Sequence, residues 1–135
     1  KVIPNRANPY SDWGNGEWWE TPTVTKTSGK GFLYTTLKDQ LLYEKELQNS
    51  NLELFRLSQQ PIPGSEIKTY GFGLKLENRF GAKTIHHDGV TFGFHSQTLR
   101  FPEQKLTIFI LSNNGNISSD SMANEIAKLY LIKNR

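Results

Sequence analysis

The run Leu106-Thr107-Ile108-Phe109-Ile110-Leu111 is apolar at five of its six positions. Successive side chains on a strand point to opposite faces, so neither face of this one can be left in water. A strand of that kind belongs in the interior of a sheet with cover above and below. The rest of the chain must supply that cover. The segment 105–112 has one obvious neighbour in sequence, 94–101. Its second edge is expected to pair with missing N-terminal strands, to pair with another copy of the chain, or to lie under the terminal helix.

The elements around it follow from periodicity and punctuation. Tyr70, Phe72, Leu74 and Leu76 alternate with Gly71, Gly73, Lys75 and Glu77, which predicts a half-buried strand. Asn78 to Gly81 then reads as a turn, Lys83 to Asp88 as a returning strand, and Phe94 to Phe101 as a third. Pro102-Glu103-Gln104 turns the chain into the apolar run. Upstream, Thr35 or Thr36 followed by Asp39 has the form of an N-cap opening a helix over 36–48. Tyr43, Leu47 and Leu42 are expected on its inner face, with Lys38, Glu44 and Lys45 in solvent. Leu52, Leu54 and Phe55 suggest a second short helix, stopped by Pro61-Ile62-Pro63-Gly64. Ser118, Ser119 or Asp120 caps a terminal helix whose Met122, Ile126, Leu129 and Tyr130 form an apolar stripe.

Residues 1–31 show neither helical nor strand period. They are expected to be irregular chain pinned to the core by Trp13, Trp18 and Trp19, with a sugar-stacking surface as the other reading of these rings. The fold class is therefore α+β. An antiparallel sheet of about four strands carries a C-terminal helix and follows an irregular Trp-rich segment and one or two helices, within one domain spanning 1–135.

Composition removes several function classes. Without cysteine there is no disulfide framework and no thiolate metal site. A net charge of +3 is spread among acids rather than gathered in a stripe, which argues against a nucleic-acid surface. No window is apolar enough to span a bilayer. Nothing implies a cofactor.

The chemistry gathers in Ile85-His86-His87-Asp88-Gly89-Val90-Thr91-Phe92-Gly93-Phe94, a polar strand end read as running into a glycine-bounded loop. Two histidines and a carboxylate suggest a metal, but adjacent strand residues face opposite ways, so His86 and His87 cannot readily share one ion. No metal site is assigned.

His87-Asp88-Gly89 followed by Gly93-Phe94 resembles the His-x-Gly motif of the serine β-lactamase and penicillin-binding-protein superfamily, in the branch of class C β-lactamases, DD-peptidases and related esterases. Ile3-Pro4-Asn5-Arg6-Ala7 with Tyr10, Gly29 to Asp39, Tyr70-Gly71-Phe72-Gly73-Leu74, and Arg100-Phe101-Pro102 before an apolar strand ending at Asn113 fall in that family's order. The resemblance implies the C-terminal portion of a larger domain that transfers an acyl group from a β-lactam, a D-Ala-D-Ala peptide or an ester. A periplasmic or envelope location is implied with it. It makes His87 a catalytic donor or proton relay. Gly89, Val90 and Thr91 would line the substrate, with the Val90 amide as an oxyanion donor.

The family's nucleophile is a serine three residues before a lysine at a helix start. Ser65-Glu66-Ile67-Lys68 has that spacing but follows Pro63-Gly64 and leads into a strand, so it is read as coincidence. The nucleophile and the family's Tyr-x-Asn are expected upstream of Lys1, and the chain alone is expected to be inactive. Its partners would be a small-molecule or peptide substrate and the missing N-terminal segment or another copy. The competing reading is a non-catalytic peptide- or glycan-binding module on the same fold.

Overall fold

The computed structural model describes residues 3–22, 31, 33–49 and 51–133. In chain order its elements are β1 (Tyr10–Asp12), β2 (Trp18–Glu20), α1 (Leu37–Asn49), α2 (Glu53–Ser58), β3 (Lys75–Arg79), β4 (Ala82–Thr91), β5 (Phe94–Phe101), β6 (Leu106–Ser112) and α3 (Ser119–Lys133). The four strands β3-β4-β5-β6 form an antiparallel sheet in sequence order, and β1 and β2 form a separate hairpin. The fold is α+β, with α3 packed on the sheet.

Turn chemistry fixes the register. Phe80 and Gly81 both take positive φ (54° and 78°) between Arg79 and Ala82, which are paired. Phe92 and Gly93 do the same (32° and 79°) between Thr91 and Phe94. Two successive left-handed residues make the tight turn whose twist matches a hairpin. The register then lines up Ile85, Arg100 and Thr107 across three strands, and His86, Leu99 and Ile108 in the next row. Adjacent rows face opposite sides.

The face bearing Leu99 and Ile108 carries the main core. Ala82, Leu99, Phe101, Ile108, Ala123 and Ala127 are buried together, with Phe80, Leu106, Ile110 and Leu131 packed against them. The opposite face is covered by α1, whose Glu44 and Leu47 are buried. Glu44 takes hydrogen bonds from Arg100 Nε at 2.8 Å and Nη2 at 2.5 Å, and from Thr107 Oγ1 at 2.8 Å. Burial alone would raise its carboxyl, but the Arg100 guanidinium, with Gln48 and Thr107, outweighs that and holds it below the usual range.

Several expectations are corrected. Tyr70 to Leu74 is not strand: Gly71 is buried and its N–H donates to Leu74 O, Gly73 sits at φ 76°, and β3 begins only at Lys75. The aromatic and glycine alternation there encodes a tight turn. Gly89 lies inside β4, opposite Ser96, so the stretch 85–94 is a hairpin rather than a strand entering a loop. Strand β6 is only partly covered, with Ile108 buried but Leu111 exposed, and it stands at the edge of the sheet and not in its interior.

The helices are also turned relative to their apolar stripes. On α1 the inner face is Gln40, Glu44 and Leu47, while Leu42 and Tyr43 are exposed, because buried Arg100 requires a carboxylate more than the core requires another ring. On α3 the inner residues are Ala123 and Ala127, and Met122, Ile126 and Leu129 are exposed. Small side chains let that helix lie close to the sheet. The first segment is partly ordered as β1–β2, and its tryptophans do not anchor it: Trp13, Trp18 and Trp19 are 73%, 53% and 54% exposed. What seats it instead is Pro9 and Thr21, both buried, with Tyr10 N–H donating to Asn113 O and Gly115 N–H donating to Tyr10 O. The Gly29-Lys30 part of the family-like pattern lies outside the described residues.

Candidate functional site

The two histidines of β4 lie on opposite faces of the sheet, as strand geometry requires. His86 is 1% exposed on the α3 side. His87 is exposed on the other side, in a row with Thr98 and Phe109. Tyr70 reaches over from the turn before β3, its hydroxyl 3.5 Å from His87 Nε2.

The pairing of β3 with β4 ends at Lys75 opposite His86. From His87 to Thr91, β4 therefore has no strand neighbour on that side among the described residues. Gly89 lies in this open stretch, and a Cβ there would come 2.7 Å from Ser96 Oγ. Val90 is exposed and Thr91 half-buried. His87, Gly89, Val90 and Thr91 thus sit along one partly unpaired strand edge. Tyr70, Phe72 and Phe92 are exposed aromatics on the adjoining turns.

Ser65 and Lys68 do not form an activated pair. Lys68 Nζ donates to the carbonyl oxygen of Ser65 at 2.6 Å, while Ser65 Oγ accepts from the Ile67 N–H at 3.1 Å. The segment is outside any helix. A groove of about 530 Å³ runs along Gln59, Gln60, Lys68, Leu76 and Lys83, and His87 is not among its walls.

The α3 side of the sheet holds a polar network that local sequence reading missed. Arg79 Nη1 donates to Asp120 Oδ1 at 2.7 Å and to Asn124 Oδ1 at 3.1 Å. Gln97 Nε2 donates to the same Asp120 oxygen at 2.6 Å. Arg79 Nη2 lies 3.0 Å from His86 Nε2, and Glu77 Oε2 lies 3.1 Å from that nitrogen. One nitrogen cannot accept from Arg79 and donate to Glu77 at once. Burial and the adjoining guanidinium both disfavour the imidazolium and push His86 below its ordinary value. His86 is therefore neutral near pH 7, and Glu77 is served by Arg79 at 3.3 Å.

At the end of this network Lys75 Nζ and Asp88 Oδ1 are 2.5 Å apart. The hydrogen bond to Lys75 lowers the Asp88 carboxyl, and the same bond raises the Lys75 ammonium. Asp88 is thereby committed to a structural pair beside His87. A signal for the network was present: Lys75, Glu77, Arg79 and Thr84, His86, Asp88 are two polar series of period two, on one face once the chain turns at Phe80-Gly81. Its partners on α3 lie some forty residues away, beyond any local pattern.

Among the described residues no group of three or more histidine or carboxylate side chains converges as a cation site. None of their helices is long and apolar enough to cross a membrane. Comparison with protein-family models, with curated proteins and with solved structures gives no match.

Proposed function

We propose that this chain is the C-terminal portion of a serine hydrolase of the β-lactamase and penicillin-binding-protein type, acting by acyl transfer on a β-lactam, a D-Ala-D-Ala peptide or an ester. The observation that carries the reading is the strand edge from His87 to Thr91, where an exposed imidazole precedes a glycine and an open run of backbone. A substrate amide or carboxylate laid along that edge would meet main-chain donors without obstruction from Gly89, and would meet His87 at one end. In this reading His87 donates to the substrate carboxylate or relays a proton. Tyr70 holds its ring, and the Val90 amide stabilises the developing oxyanion. In this reading the acylated serine is not Ser65, whose hydroxyl and carbonyl are engaged by the Ile67 N–H and by Lys68.

The test is direct. Titrating a penicillin or a D-Ala-D-Ala peptide into the ¹⁵N-labelled chain should shift the amides of His87, Gly89, Val90 and Thr91, and His87→Ala should weaken the effect. Intact mass after incubation with a reactive β-lactam should show no adduct. Shifts confined to other regions, or stable acylation of Ser65, would refute the assignment.

The exposed tryptophans favour a second reading, a non-catalytic glycan- or peptide-binding module. Its signature is perturbation of the indole N–H signals of Trp13, Trp18 and Trp19 by an oligosaccharide, with the β4 edge silent.

A further inference from the structure

We infer that Ser96 is the second side-chain contact of the His87 site, and that residue 89 is glycine to make room for the Ser96 hydroxyl. Ser96 takes this role only if the β4 edge is the ligand site proposed above, to which it adds a specificity-determining group. Strand pairing puts the residues on one face. Side chains in one row across an antiparallel sheet share a side, and alternate rows share it too. His87 stands with Thr98 and Phe109, Gly89 with Ser96 and Leu111, and Thr91 with Phe94. His87, Gly89, Ser96 and Thr91 therefore lie on the same side of the sheet, and His87 and Leu111 are both exposed there.

The space over Gly89 is already taken. A Cβ built there would come 2.7 Å from Ser96 Oγ, and among the described residues no other atom outside its chain neighbours lies within 4 Å of that point. Such an approach is well inside ordinary van der Waals contact. The missing side chain thus clears a single atom, a hydroxyl oxygen, in the row beside the histidine. A serine kept only for packing would need no glycine opposite it, since alanine at 96 would fit under an ordinary residue at 89. The backbone is fixed at the same point: the Ser96 carbonyl accepts from Ser119 Oγ at 3.0 Å, and Ser119, the first residue of α3, is buried.

Spacing says what the pair can hold. Diagonal neighbours on paired strands stand about 7–8 Å apart, and the imidazole spans part of that gap. A ligand oxygen between ring and hydroxyl can then accept from both at about 3 Å. Charge agrees with an oxygen acceptor. No aspartate or glutamate stands in these rows, and Asp88 belongs to the opposite face, where Lys75 holds it. A carboxylate or acyl oxygen laid along the edge therefore meets two side-chain donors and no competing anion.

The test is a double-mutant cycle on the whole chain, read as the dissociation constant of a penicillin from the amide shifts of the β4 edge. Ser96→Ala should weaken binding about tenfold. Ser96→Cys, which keeps the shape but donates poorly, should fall between it and the wild type. Gly89→Ala should weaken binding as well, and the double variant should bind no worse than Ser96→Ala, because Gly89 acts through the hydroxyl. Thermal melts of the same variants separate lost affinity from lost stability. Additive losses in the cycle would overturn the role given to Gly89. Unchanged affinity in Ser96→Ala, whatever its melting temperature, would overturn Ser96 and leave the reading of the β4 edge standing. A wild type whose β4 amides ignore the penicillin would sink both.

Discussion

Glu44 of α1 and Arg100 of β5, 56 residues apart, form a buried two-point ion pair that ties the first helix to the sheet. Both side chains are more than nine-tenths buried, so neither charge has water to fall back on. Removing one partner leaves the other uncompensated, at a cost of about 3–5 kcal/mol for such pairs. Glu44→Ala should lower the unfolding free energy by that order in urea titration, and Arg100→Met combined with Glu44→Leu should recover much of it. A loss below roughly 1 kcal/mol, as exposed pairs show, would contradict the buried geometry.

The same carboxyl predicts an acid dependence. Its folded value lies below the unfolded one, so the unfolded chain binds the proton first as pH drops. The contribution of the pair is complete above the ordinary carboxylate range and declines as pH falls through the folded value. Glu44→Gln should flatten that limb of the stability curve. An unchanged acid limb in the variant would place the effect elsewhere.

His86 adds a second limb. Its folded value is also depressed, here by burial and by Arg79, so folding favours the neutral ring. Stability should be full above the unfolded imidazole value of about 6.5 and fall as pH drops beneath it. In a histidine proton titration the His86 midpoint should fall below 6.5. A midpoint at or above that value would show that Glu77, not Arg79, controls the ring.

Gly71 and Gly115 are among the glycines that should tolerate no side chain. A Cβ on Gly71 would run into the carbonyl of Gln60, and one on Gly115 into Ser11 Oγ and the backbone of Gly93. Gly71→Ala and Gly115→Ala should each cost about 1–3 kcal/mol by overpacking. Gly89→Ala meets only a rotatable hydroxyl and should cost less. Thermal melts rank the three. Equal losses would remove the distinction between backbone and side-chain obstruction.

The tryptophans give an optical check. With all three rings more than half exposed, the native emission should already be red-shifted, change little on unfolding, and be quenched by acrylamide in the folded state. A blue-shifted native spectrum would mean that the β1–β2 hairpin packs its rings away.

The sheet was legible because its determinants are local. Period-two alternation, the Phe80-Gly81 turn and Pro102 set the register within a few residues of each strand. Helix α1 was legible in its start, where Thr36 Oγ1 accepts from the Asp39 N–H at 3.1 Å, but not in its rotation. Glu44 faces inward because Arg100 and Thr107 wait there, and nothing near Glu44 in sequence says so. Of the candidate site, the opposed directions of His86 and His87 followed from strand geometry alone. The contact of Tyr70 with His87 did not, since a glycine-built turn carries the tyrosine back over the sheet. The polar network under α3 has the same character: half of it is period two, and half comes from a helix at the far end of the chain.

The sheet is a plain meander, each strand bonded to the next one made. Every loop that must close between partners is short, and chains of low contact order fold fast. Newly synthesised chain can zip β3 through β6 as each strand appears, while α1, already made, waits for Arg100 before it has a charge to dock against. The last helix, α3, then arrives to cover β5 and β6 from one face.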